Sequence, residues 1–108
     1  MITFNDEEED MRPPLPFLEQ IAKNCPIAMD VYLQLWQMKS PENKMVVYKD
    51  DIGREFKTSV KHFNSSLQKL AREGLLHKQD IYTISGEQKY LCKVMIALVS
   101  WEELQKAS

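Results

Sequence analysis

The stretch that most constrains this chain runs from Thr58 to Gly74. Val60, Phe63, Leu67 and Leu70 recur at spacings of three, four and three, the repeat that brings side chains onto one face of an α-helix. Thr58 and Ser59 stand immediately before it, with hydroxyls able to satisfy the free N–H groups of a first helical turn. Gly74 stands just past it, where a left-handed residue closes a helix, and Leu75-Leu76 leads into extended chain. The spacing predicts an amphipathic helix over 60–73. Its apolar face has to be buried, so the rest of the chain must supply a core around it.

The flanking segments are suited to that task. Phe17, Leu18 and Ile21 begin a helical pattern that breaks at Pro26, and Pro26 opens a second helix as its first residue. From Pro26 to Met38 the positions Ile27, Val31, Leu35 and Met38, with Ala28, Tyr32 and Trp36 beside them, make the helix apolar on almost every side. That is the pattern of a core helix touching several neighbours. Ser40-Pro41-Glu42-Asn43 is a turn, and Met45 to Tyr48 is a short strand. Asp50 or Asp51 is expected to cap a short helix whose apolar face is Ile52 and Phe56. After Gly74, Ile81–Ile84 and Tyr90–Ile96 are two β-prone runs joined by the loop Ser85 to Lys89, a hairpin. Ser100-Trp101-Glu102-Glu103 reads as a capping box that opens a terminal helix reaching about Lys106.

With 108 residues the chain has room for one such core. Residues 1–16 are set apart, because Asp6 to Asp10 are all acidic and Arg12-Pro13-Pro14-Leu15-Pro16 favours extended polyproline chain. They are expected to form a mobile tail in front of a domain over 17–108. No apolar run approaches the roughly 18 residues needed to cross a bilayer, and the residues after Met1 lack the basic-then-apolar order of a signal peptide. No membrane association and a cytoplasmic location are expected. Cys25 and Cys92 have no CxxC partner and are expected to be buried free thiols. His62 and His77 lack companions at metal-ligand spacing, and no nucleophile pattern accompanies them. Neither an enzyme nor a metal or cofactor is expected. Trp36, Trp101, Tyr32 and Tyr82 suit core or interface packing better than base stacking.

Net charge is only −2 over the whole chain, which argues against binding nucleic acid by bulk electrostatics. Its distribution argues otherwise. Residues 1–43 hold three basic groups against eight acidic ones, a balance of −5, whereas residues 44–93 hold ten against six, a balance of +4. An electropositive face on the second segment is expected.

The predicted order is helix, short strand, short helix, tight turn, amphipathic helix ending in Gly-Leu-Leu, then hairpin. The run Ile52-Gly53-Arg54-Glu55-Phe56-Lys57-Thr58-Ser59, continued by Phe63, Leu67, Leu70 and Glu73-Gly74-Leu75-Leu76, resembles winged helix-turn-helix regulators of the MarR-like kind. The resemblance covers about half of the chain. It departs from that pattern at Lys57, where the family often places glycine or another small residue. The implied fold class is α+β, a winged helix-turn-helix with a helical core and a C-terminal hairpin wing.

The implied function is sequence-specific binding of double-stranded DNA, as a transcriptional regulator, with helix 60–73 in the major groove. With Phe63, Leu67 and Leu70 turned inward, Lys61, His62, Asn64, Ser65, Gln68, Lys69 and Arg72 face outward. Asn64 is suited to adenine and Lys61 to guanine or phosphate, while Ser65 and His62 can bond a base edge or the backbone. Arg54, Lys57, Thr58 and Ser59 at the turn are suited to phosphate, and Gln88 and Lys89 at the wing tip to the minor groove. A palindromic site would imply a homodimer. Lysines on a helix face more often mark a solvated surface than a binding site, so two alternatives stand beside this reading. One is a protein-interaction module that docks a partner on the apolar strand 94–99, and the other is the DNA-binding part of a replication or plasmid-maintenance protein.

Overall fold

The computed structural model describes residues 13–107. It is an α+β fold whose described elements follow the order α1 (Leu15–Asn24), α2 (Pro26–Met38), β1 (Lys44–Tyr48), α3 (Ile52–Phe56), α4 (Val60–Arg72), β2 (Leu76–Ser85), β3 (Gln88–Leu98) and α5 (Trp101–Ala107). The strands make one antiparallel sheet in the order β1-β3-β2. Tyr32 and Leu35 of α2, Phe63, Leu67 and Leu70 of α4, and Val94 and Ile96 of β3 belong to one buried cluster. It joins the helices to one face of the sheet. No helix among the described residues is long and apolar enough to cross a membrane.

Several boundaries differ from expectation for identifiable reasons. Residues 1–12 of the expected tail lie outside the described residues, but Pro13 to Pro16 belong to the fold. Pro13 is buried, and α1 starts at Leu15, two residues before Phe17, with the Pro14 carbonyl accepting from the N–H of Phe17 at 3.1 Å and of Leu18 at 3.2 Å. Proline in a first turn loses no helical hydrogen bond, so a proline-rich run can open a helix. In α2 the buried side is Ala28, Met29, Val31, Tyr32, Leu35 and Trp36, whereas Ile27 in the first turn is 50% exposed. Trp36 and Tyr32 pack edge to face, and Trp101 of α5 rests against Phe17 of α1. Tyr82, expected in core or interface packing, is exposed and takes no part in the core. Cys25 and Cys92 are free, and both are half-buried rather than buried.

Asp50 and Asp51 do not cap α3. They belong to a 3-10 turn, Lys49–Asp51, and Asp51 is already in the right-handed helical region with no side-chain cap bond. An N-cap carboxylate needs extended backbone to reach the following N–H groups, and the 3-10 entry removes that geometry. At the C-terminus the Ser100 hydroxyl does accept from the Glu103 N–H at 3.2 Å, the hydroxyl half of the expected capping box, at the start of α5.

The hairpin is longer and tighter than the five-residue loop implies. β2 and β3 pair from Leu76–Leu98 to Ser85–Gln88, leaving a two-residue turn of Gly86 and Glu87. Gly86 has φ 66°, and Glu87 is not among the positive-φ residues, the type II′ pattern that matches strand twist. Gln88 and Lys89 therefore begin β3 instead of forming the loop tip. Finally, strand 94–99 offers no free edge: β3 is the central strand, and Val94, Ile96 and Leu98 turn into the core. A partner cannot add to the edge of that strand, although Met95 stays exposed on the outer face of the sheet.

Candidate nucleic-acid interface

The turn between α3 and α4 is built without glycine. Lys57 closes α3 in the left-handed region, φ 53° and ψ 40°, and its N–H reaches the Gly53 carbonyl at 3.0 Å. The chain then extends through Ser59, whose Oγ accepts from the His62 N–H at 3.1 Å. This cap satisfies one of the free donors of the first turn of α4. The far end closes equally well. Leu75 N–H bonds the Leu70 carbonyl and Gly74 N–H the Ala71 carbonyl, both at 3.0 Å, with Gly74 at φ 80°. That pair of bonds is the Schellman motif, with Leu70 and Leu75 as its apolar contact. α4 is thus held at both ends by local chemistry and by its buried face of Phe63, Leu67 and Leu70.

Ser66 is buried with that face, only 2% exposed, although the apolar periodicity had not marked it. A side chain this small lets the neighbouring element come close. Opposite it, Lys61, Ser65, Gln68 and Arg72 fall on one stripe of exposed residues, with His62 and Lys69 beside it. At 1.5 Å per residue the stripe is roughly 16 Å long. From Phe56 to Arg72 the only charged side chains are Lys57, Lys61, Lys69 and Arg72; no carboxylate interrupts them. All four are exposed.

Not every predicted residue joins this surface. Asn64 sits at its border, half-buried, with its Oδ1 shielded and without a protein hydrogen bond. Arg54 is exposed, but its guanidinium lies 2.9 Å from Asp51 Oδ1 and 3.5 Å from Glu55 Oε1. Two carboxylates around one cation leave that corner without net positive charge, so Arg54 is poorly placed for phosphate. Thr58 is half-buried, and the Ser59 hydroxyl is engaged as the cap. Gln88 and Lys89 are exposed at the start of β3, separate from α4 in the sequence of elements, and the Gln88 side chain accepts from the Tyr90 hydroxyl.

A cleft borders the stripe at the C-terminal end of α4, lined by Phe17, Ile21, Cys25, Lys69, Leu70 and Arg72 among others. It joins residues far apart in the chain, and no periodicity signals it. Comparison with family models, with curated proteins and with solved structures finds no match.

Proposed function

We propose that this chain is a winged helix-turn-helix protein that binds double-stranded DNA in a sequence-specific manner, as a transcriptional regulator, with α4 in the major groove. The observation that carries this reading is the run of four exposed cations from Lys57 to Arg72 without a single carboxylate, in a chain whose net charge is −2. A helix of this kind, capped at both ends and preceded by a short helix and a tight turn, has the form of a major-groove reader. The order helix, strand, helix, helix, hairpin is compatible with the winged helix and supports the same reading.

In this arrangement Lys57, Lys61, Lys69 and Arg72 contact phosphates and set the register of α4 on the duplex. Ser65, Gln68 and His62 lie between them and face base edges. Asn64 contributes through its amide N–H groups, since its carbonyl oxygen is shielded. The unbonded N–H groups at the start of α4 add to the attraction for phosphate.

The test is a titration against random duplex DNA at several salt concentrations, for the parent chain and for Lys61→Ala with Lys69→Ala. The expected result is salt-sensitive binding in the parent and a log–log salt slope smaller by about 0.9 for each phosphate contact removed. Absence of salt-sensitive binding in the parent overturns the reading. In a second arm, Gln68→Ala and Asn64→Ala are expected to change sequence preference more than affinity for random DNA.

A further inference from the structure

β2 is an edge strand ten residues long, and among the described residues no backbone hydrogen bond reaches its outer side. The opposite edge, β1, has five residues and is bounded by Lys44 and Lys49. Short length and lysines are the devices by which edge strands avoid pairing. β2 lacks them where it matters. Ile81 to Ser85 contains no charge and no proline. The irregularity of the hairpin falls on β3, where Cys92 is the extra residue between the partners of Ile81 and Tyr82, so β2 runs on evenly. Tyr82 and Ile84 are 51% and 69% exposed, and a two-stranded ribbon of this kind is only marginally stable in water by itself.

We propose that this edge pairs with the same edge of a second copy of the chain, β2 antiparallel to β2 about a two-fold axis, to make one six-stranded sheet. The occupant follows from the self-complementarity of the segment. In antiparallel pairing the residues that face each other share a side of the sheet, so a residue sits opposite its own copy at the axis. With Thr83 there, Thr83 meets Thr83, and Tyr82 meets Ile84 of the second copy on both sides of the axis. These are a hydroxyl pair and two aromatic–β-branched pairs, combinations that stabilise adjacent strands. In this register the paired stretch is Ile81 to Ser85, with Ile81 opposite Ser85, and Asp80 falls beyond the end of the second copy's β2, so no like charges meet. An axis at Asp80 would oppose two carboxylates, and one at Tyr82 would set Asp80 against Ile84. Dimerisation through this edge does not depend on DNA binding.

Sedimentation equilibrium from micromolar to millimolar chain concentration tests the proposal. The full chain is expected to rise from the mass of one chain towards that of two, and amide exchange within 81–85 is expected to slow over the same range. Ile84→Lys and, as a second variant, Thr83→Lys are expected to stay at the mass of one chain with unchanged far-UV circular dichroism. Met95→Lys, which alters the exposed outer face of the sheet and not its edge, is expected to dimerise like the parent. A parent that remains one chain at every concentration overturns the proposal. So does a dimer that survives both edge variants, or one that Met95→Lys abolishes.

Discussion

Lys57 and Gly74 occupy the same kind of backbone conformation at the two ends of the α4 region, with opposite consequences. Lys57 stands at φ 53°, a conformation that costs a residue with a Cβ about 1–2 kcal/mol. Glycine removes that cost but loses more chain entropy on folding. Lys57→Gly is therefore expected to raise stability by about 0.5–1 kcal/mol, read from the denaturant midpoint. The same change deletes a cation from the proposed DNA face, so affinity at low salt is expected to fall while stability rises. Gly74, at φ 80°, has no heavy atom within 4 Å of an added Cβ. Gly74→Ala thus introduces no clash and isolates the backbone term, with an expected loss of about 1 kcal/mol.

At the scale of elements, α4 and the hairpin divide the work unequally. No ion pair among the described residues engages Lys61, Lys69 or Arg72 of α4, although Glu73 follows Arg72 and stands one turn from Lys69, whereas Lys89 on the hairpin has Glu87 in the adjoining turn and Ile84 directly opposite. On the proposed reading the hairpin is therefore expected to add little to phosphate binding. Lys89→Ala is expected to leave the salt slope of DNA binding unchanged, while Lys69→Ala lowers it by about 0.9. An equal effect of the two substitutions would assign the hairpin a direct electrostatic part in binding. The uncharged run Ile81 to Ser85 within the hairpin is what suits it to the proposed dimer contact instead.

Over the whole molecule, the proposed DNA face works against the charge of its own chain. Replacing Asp6, Glu7, Glu8, Glu9 and Asp10 by their amides takes the net charge from −2 to +3, because five carboxylates are neutralised. Long-range attraction to a polyanion rises with net positive charge and is screened over about 10 Å at 0.1 M salt. The amide variant is expected to associate faster with duplex DNA at low salt and to converge with the parent as salt is raised. Equal association rates at low salt would show that the run has no electrostatic part in binding.

Local rules made most of the elements legible in the sequence. The spacing of Phe63, Leu67 and Leu70 defines α4, the Ser59 hydroxyl and Gly74 mark its ends, and Ser100 opens α5, because caps and periodicity act within one or two turns. The outward placement of Lys61, Gln68 and Lys69 follows from the same period. Where Asp51 and Arg54 direct their charges was not legible, since the 3-10 turn that sets them side by side depends on how β1 enters α3. Nor was the half-burial of Asn64, the burial of Ser66 or the exposure of Ile27, each decided by what an adjoining element happens to cover. Strand order is the largest such case. The apolar pattern of 94–99 is the same for an edge and a central strand, and only the pairing of β1 and β2 on either side of β3 makes β2 the open edge. The sequence by itself determined the type and order of the main helices and strands, though not their ends, and which face of α4 is polar. Tertiary structure alone decided which of those polar and apolar groups stay available, because availability is a property of neighbours brought together across the chain.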